Sequence, residues 1–385
     1  MPTLIRNRVL ATLVVMAAAA AFWMAFVALA PNRLVHGTGI GLTDLMQGWR
    51  GVIVVPMLLL CIGIFMRPTW RTNLMVALAG SLLVVALVWL AGDEATRLSA
   101  AEPKLSRVSL GGAFWVLLVV LGLAVVDALQ RAGLGALWQV VVGAAIVALV
   151  VGLVASGELD QLSLLKEYAN RQDVFHTALL RHLQIVGATV VPTLVIGVPL
   201  GWALFRTERF APAAFAILNM IQTVPSIALF GLLIAPLALL AATVPWLGQL
   251  GVGGIGLAPA VIALTLYALL PIVRSTVAGL GQVPRSVIEA AAGMGLTPRQ
   301  IFWKVQAPIA LPLLLSGIRI TTVQTIGLAV VAALIGAGGL GSIMFQGLLS
   351  SALDLVLLGV LPVVAMAVTV DAVFRFMTLM LGRSH

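Results

Sequence analysis

Apolar runs of about 20 residues recur from one end of the chain to the other, and they decide which solvent it folds in. A helix needs about 20 predominantly apolar residues to cross the ~30 Å hydrocarbon layer of a bilayer. Runs near 9–30, 51–66, 73–91, 109–126, 134–155, 183–205, 213–235, 258–281, 310–333 and 354–381 meet that requirement or approach it. They predict an all-α polytopic membrane protein with about ten transmembrane helices. The second run is short, and prolines interrupt the seventh. Only 9% of the 385 residues are charged and 62% are apolar, against about 25% charged in a soluble domain. No single core could hide that much apolar side chain from water.

The same composition excludes several functions. A net charge of +9 is no sign of nucleic-acid binding here, because basic residues in such a chain sit mostly in loops that set orientation. Cys61 is the single cysteine, so neither a disulfide within the chain nor a thiolate metal site can form. His36, His176, His182 and His385 make no ligand-spaced cluster. The N-terminus has Arg6 and Arg8, an apolar run and then Ala28-Leu29-Ala30, in the manner of a signal peptide. The run Val9 to Ala30 is too long for one, and Pro31 would follow the cut, so it reads as a retained first span.

Orientation follows from lysine and arginine. The connections 206–212 and 282–309 and the C-terminal tail carry Arg206, Arg209, Arg285, Arg299, Lys304 and Arg383, while 236–257 and 336–353 carry neither residue. The first group is therefore predicted to be cytoplasmic. In the first half the bias is weaker, and parity from an inside N-terminus gives its outer loops more basic residues than its inner ones. Both termini are predicted inside. Residues 92–108 and 156–182 are too polar to cross and fall outside. They divide the chain into a five-span N-terminal extension (1–155), a polar extracytoplasmic segment (156–182) and a core (183–385). Beyond the second segment the texture changes to recurrent Pro and Gly, as in "VPTLVIGVPLG" and "LIGAGGLG", suited to helices that pack closely and move.

A charged island, 285–308, interrupts that core with the punctuation of a helix–turn–helix. Ser286 is placed to cap the first helix, and Gly295 suits the left-handed residue that ends it. Thr297 then caps the second, with Pro298 at its first position and Gln300 completing a capping box. Pro308 and Pro312 mark the exit towards the next span. Small Ala290 to Ala292 leave one shallow face, and Met294, Ile301, Phe302 and Val305 can form an apolar one. Such an element reads as a docking hairpin at the membrane surface, the alternative being an amphipathic loop resting on headgroups.

The island resembles the Glu-Ala-Ala motif of ABC-importer permeases: Glu-Ala-Ala, three residues, Gly, nine residues, Ile, one residue, Leu-Pro. Glu289, Ala290, Ala291, Gly295 and Pro308 stand in register, with Val305 for Ile and Ala307 for Leu. The resemblance implies a coupling hairpin, formed by Glu289, Ala290, Ala291, Gly295, Arg299 and Pro308, that sits in a cleft of an ATP-binding subunit. Glu289, Ala290 and Ala291 would then make the closest approach. The strings "HLQIVGATVVPTLVIGVPLG", "MIQTVPSIALFG", "IALTLYALLPIVRSTVAGL" and "ITTVQTIGLAVVAALIGAGGLG" are similar to permeases of osmoprotectant importers of the glycine betaine, choline and carnitine group. They imply a type I importer permease core over roughly 180–380. The five-span extension resembles that of the YehY-type betaine permeases.

The chain itself holds no phosphate-binding loop, since its lysines follow Pro103, Leu165 and Trp303 rather than glycine. It is therefore read as no enzyme and as carrying no cofactor, with ATP and Mg bound by a partner ATPase. An ion-coupled secondary transporter would place carboxylates deep in the bilayer. Here they lie in loops or near span ends, such as Asp371 four residues before Arg375, and Arg274 and Arg319 sit where snorkelling is possible. No channel filter sequence is visible. Aromatic cages capture quaternary ammonium ligands, yet in the core Trp202, Trp246, Trp303 and Tyr267 are widely separated. Capture is thus expected to belong to an extracytoplasmic solute-binding protein. The permeation path is predicted at Gln222, Thr223 and Ser226 around Pro225, and at Thr322, Gln324 and Thr325, although each could serve only as an interhelical hydrogen bond. The resulting expectation is the permease of an ABC importer for a compatible solute such as glycine betaine, multi-pass in the bacterial inner membrane. It would work with two ATP-binding subunits and a second permease, the same chain or a related one. The alternatives are an ion-coupled carrier, or a permease for another small solute such as an amino acid.

Overall fold

A computed structural model describes residues 5–32, 37–46, 48–101, 106–249 and 251–382. Arg383, Lys104, His36 and His385, used above, lie outside them. The chain divides into two compact units, with the boundary between Asn170 and Arg171. Among the described residues, eight helices are long and apolar enough to cross a membrane.

The first unit contains α1 (Arg8–Trp23), α2 (Val54–Phe65), α3 (Trp70–Ala101), α4 (Gly112–Arg131), α5 (Ala136–Ala155) and the short α6 (Ser163–Ala169). Two predicted spans are corrected here. The run 9–30 is not one helix: α1 stops at Trp23, and Ala25–Ala30 becomes β1, the middle strand of a three-stranded sheet. Its antiparallel neighbours are β2 (Thr38–Gly41) and β3 (Arg107–Leu110), with Val27 opposite both Ile40 and Leu110. Phe26 and Val27 have no exposed surface, and Phe26 meets Phe114 edge-on at 5.8 Å. A strand buried on both faces reads as an unbroken apolar run, which periodicity cannot distinguish from a helix. The run 51–66 is likewise shorter than a span, with 12 residues in α2.

The polar segment 92–108 does not begin outside the helices, because α3 runs on to Ala101. What allows this is an ionic knot at its end. Glu94, fully buried, accepts from Arg50 Nη1 at 2.7 Å and from Arg97 Nε at 2.9 Å, and Arg50 also pairs with Asp93. Two arginines share the cost of desolvating one carboxylate.

The second unit contains α7 (Gln172–Arg206), α8 (Ala211–Thr223), α9 (Ser226–Thr243), α10 (Leu257–Gly281), α11 (Arg285–Gly293), α12 (Pro298–Leu328), α13 (Leu340–Leu349) and α14 (Leu353–Gly382). Helix α10 is its axis, flanked by α7 on one side and α12 on another. The contacts run along seams of small residues. On α7, Ile185, Thr189, Thr193, Gly197 and Gly201 recur every fourth position, and all are buried. A Cβ at Gly197 would lie 2.8 Å from Ile272 Cγ2, and one at Gly201 2.6 Å from Thr276 Cβ, so the backbones approach as only glycine permits. Gly279 meets Ala310, and Gly317 meets Ser275, on the α12 side. Most of the prolines do not break these helices: Pro192, Pro199, Pro236, Pro271, Pro312 and Pro362 lie inside continuous ones. Pro225 does interrupt, separating α8 from α9.

Candidate functional site: the hairpin and the break at Pro225

The turn of the predicted hairpin is built as its sequence dictates. Helix α11 ends at Gly293, Gly295 adopts φ +81°, and its N–H donates to Ala292 O at 2.9 Å while Leu296 N–H donates to Ala291 O at 3.2 Å. This pair of bonds is the Schellman closure, which needs a left-handed residue where Gly295 stands. Thr297 caps α12: its Oγ1 accepts from Gln300 N–H, and Gln300 Oε1 accepts from Thr297 N–H at 2.9 Å, with Pro298 next. Orphan carbonyls at the end of α11 and orphan donors at the start of α12 are thus satisfied within a few residues.

Three details differ from expectation. Pro284 is the N-cap of α11, and Ser286 lies inside its first turn without capping it. Proline at this point fixes an extended entry and has no N–H to leave orphaned. Ala291 is 2% exposed and Ile301 8%, so Ala291 fills the inside of the hairpin and is not on its exposed face. Glu289, Ala290, Ala292, Met294, Arg299, Trp303 and Lys304 are among the exposed positions. Finally, Pro308 and Pro312 do not end the second helix. Residues Phe302–Gln306 form a π-helical turn, closed by Ala307 N–H to Phe302 O, and α12 then continues into the span. In an α-helix the ring of Pro308 would collide with the carbonyl of Lys304, and the wider turn moves that carbonyl aside.

The π turn also gathers aromatic side chains. Phe302 meets Trp303 at 5.1 Å and Trp202, near the end of α7, at 6.2 Å, both edge-on, and Arg206 stacks over Trp202 at 4.9 Å. Trp202 and Trp303, far apart in sequence, therefore both meet the ring of Phe302. Nothing in the local sequence signals this, because the partners are 100 residues apart.

At the Pro225 break, two of the predicted polar residues, Gln222 and Thr223, are occupied with backbone. Gln222 Nε2 donates to Tyr267 O at 2.8 Å, and the Tyr267 hydroxyl donates to Val224 O, so α10 holds the end of α8 in two places. Thr223 Oγ1 donates to Met220 O at 2.7 Å, and Ser226 begins α9 half-buried. On α12, Thr322 Oγ1 donates to Ile318 O at 2.8 Å, Gln324 is half-buried and Thr325 is buried. No hydrogen bond joins the two groups among the described residues. Sequence reasoning missed Thr321, whose buried hydroxyl has no partner, and His182, fully buried with Nε2–H donating to Ile326 O at 3.1 Å. A carbonyl only accepts, so the proton is on Nε2. The cations near the predicted cytoplasmic ends have protein partners as well: Arg274 donates to Asn219 Oδ1 at 2.8 Å, and Asp371 pairs with Arg375 at 2.7 Å and Arg319 at 3.7 Å.

Residues 193–384 match the family model described as "Binding-protein-dependent transport system inner membrane component". Residues 6–165 match that of the N-terminal domain of the ABC transporter permease YehY. Over 191 residues, 50% of this chain, the sequence is 39% identical to the osmoprotectant import permease protein OsmW of Salmonella typhimurium, covering 84% of that protein. It is 38% identical over 191 residues to the carnitine transport permease protein OpuCB of Listeria monocytogenes, again over half of this chain and 80% of the relative. An inward-facing structure of the MetNI methionine ABC transporter aligns over 55% of this chain and 97% of its own, with 25% identity and a TM-score of 0.49.

Proposed function

The chain belongs to the family of binding-protein-dependent transport-system inner-membrane components, and we propose that it is the permease subunit of an ATP-driven importer for a compatible solute of the glycine betaine class. It is an inner-membrane protein, and its relatives are permeases of ABC importers for osmoprotectants, carnitine among them. The observation that carries the reading for this chain is the ordered hairpin from Pro284 to Ile301. Its exposed Glu289 and Ala290 stand in the register of the family motif, and its turn is closed by hydrogen bonds at both ends.

In this reading the hairpin faces the cytoplasm, as the lysine and arginine bias favours. Two ATP-binding subunits carry ATP and Mg, and each grips one hairpin, so two permease chains are needed, the same chain twice or a related partner. An extracytoplasmic binding protein captures the solute. Closure of the ATPase pair draws the hairpins together, and the helices reorient by alternating access about the interruption at Val224–Pro225 and the π turn at Phe302–Gln306. Gln222, Thr223 and Thr322 then exchange backbone partners for solute or water as the route opens, with Ser226, Gln324 and Thr325 beside them. The buried Ala291 supports the hairpin from inside, while Glu289, Ala290 and Arg299 meet the partner.

The test is uptake of radiolabelled glycine betaine by cells carrying Gly295→Pro or Ala290→Trp. Both should insert in the membrane at normal levels and lose ATP-dependent uptake by about 100-fold, since docking geometry is lost while the spans are untouched. Normal uptake in both variants would sink the docking role.

A further inference from the structure

We propose that Trp202 and Phe302 form a mechanical joint through which movement of the hairpin reaches α7, making Trp202 a positioning residue for the coupling of ATP hydrolysis to transport. The inference rests on the docking reading of the hairpin and extends it to a helix that no comparison links to that role.

Three observations place the joint. The first is continuity: α12 begins within the hairpin at Pro298 and enters the span without a loop, so the two move together except where the helix is weakest. That place is the π turn Phe302–Gln306, whose widened backbone lacks a donor at Pro308. The second is the position of Phe302, the first residue of that turn. Its ring meets Trp202 edge-on at 6.2 Å with an interplanar angle of 76°. An edge-to-face pair tolerates pivoting, because no directional bond must break, yet it resists being pushed together. The third is what holds Trp202. Arg206, one turn further along α7, stacks over its ring at 4.9 Å. The neighbouring Gly201 is closed against Thr276 of α10.

A push on Phe302 therefore bears on an indole flanked by Arg206 and is passed to α7. The glycine seam couples α7 to α10, and α10 carries Tyr267, whose hydroxyl holds Val224 at the Pro225 break. A contiguous set of contacts thus runs from the hairpin to the interruption, without a covalent or ionic link. A purely interfacial role would explain Trp303, which is 64% exposed, better than Trp202, which is 38% exposed and has its ring against Phe302.

The experiment uses the full chain, co-purified with its ATPase subunit and partner permease, reconstituted in phosphatidylethanolamine–phosphatidylglycerol vesicles and supplied with the solute-binding protein. ATP hydrolysis and uptake of radiolabelled glycine betaine are read in the same preparation. Trp202→Leu should keep hydrolysis within about twofold of the unmodified complex while uptake per ATP falls about tenfold. Trp202→Phe should restore at least about half of the lost uptake, because a ring edge is again present. Phe302→Leu should reproduce the loss from the other side, and the double variant should be no worse than either single one, as for two halves of one contact. An unchanged uptake per ATP in Trp202→Leu overturns the joint. So does a proportional fall of both readouts, which marks a structural role, or multiplication of the two losses in the double variant. Failure of the functional reading is separate and is seen in the unmodified complex alone, as hydrolysis without glycine betaine uptake.

Discussion

Glu94 of the first unit is a fully buried carboxylate held by two arginines, whereas the fully or nearly fully buried polar residues of the second unit are one histidine and a set of threonines. Half of the six threonines are self-sufficient, while the hydroxyls of Thr265 and Thr321 have no partner. Thr189, Thr193 and Thr276 donate to carbonyls four residues back on their own helices, at 2.7 to 2.8 Å. A hydroxyl satisfied by its own helix asks nothing of the neighbour, so α7 and α10 can move as a coupled pair without unpairing these groups. The ionic knot behaves differently: any displacement of Arg50 from Glu94 uncovers charge in a low-dielectric site. The first unit is thus built to stay in one arrangement, and the second to exchange arrangements at little cost.

The largest test of that contrast is Glu94→Ala. It leaves Arg50, only 13% exposed, with Asp93 alone, and should cost about 3 kcal/mol of stability, read as a lowered unfolding midpoint in detergent. Uptake per folded molecule should be unchanged. A fall in uptake at full occupancy of the fold would show that the first unit takes part in the cycle, and would break the comparison.

Next is Gly201→Leu, set against Gly122→Ala. At Gly201 a side chain would collide with Thr276, and forcing the seam apart should cost about 2–3 kcal/mol and abolish uptake. Nothing lies within 4 Å of a Cβ at Gly122 in α4, so alanine there should be neutral or slightly stabilising. Equal sensitivity at both sites would mean that close backbone approach is not what distinguishes the second unit.

The smaller effect expected at Tyr267 bears on how far the sequence could be read. Tyr267→Phe leaves Val224 O without its donor and should cost about 1–2 kcal/mol. Because the break is then less firmly held, uptake should fall more than stability. The break itself was signalled by Pro225, which lacks a helical donor, although Pro192 and Pro199 show that proline alone does not end a helix in this chain. The hairpin was legible because Gly295, Thr297, Pro298 and Gln300 act on atoms within five residues of themselves. Its first cap was misplaced by two residues, because Ser286 has the better capping side chain but Pro284 already ends the extended entry. What no local pattern carried were contacts over long separations. Gln222 and Thr223 look alike in sequence, yet one reaches across to α10 and the other back to its own helix. Strand β1 was lost to the same blindness, its identity fixed by β2 and β3 and not by its own residues.

The smallest effect sharpens the contrast from the polar side of the first unit. Lys166 of α6, outside the spans, has its pKa pushed below the ordinary lysine value, first by burial and then by the charge of Arg107. A cation whose folded pKa is depressed binds its proton more weakly in the folded state than in the unfolded one. Stability therefore carries a constant penalty at low pH and rises as pH passes from the folded pKa towards the unfolded value of about 10.4. Lys166→Met should remove both the penalty and the slope, raising the unfolding midpoint by about 1 °C near neutral pH and flattening its rise over the alkaline window. Glycine betaine uptake at pH 7 should be unaffected. A slope that survives in Lys166→Met would assign the alkaline dependence to another group, and with it the claim that burial of single charges, rather than mobile seams, governs this unit would lose its support.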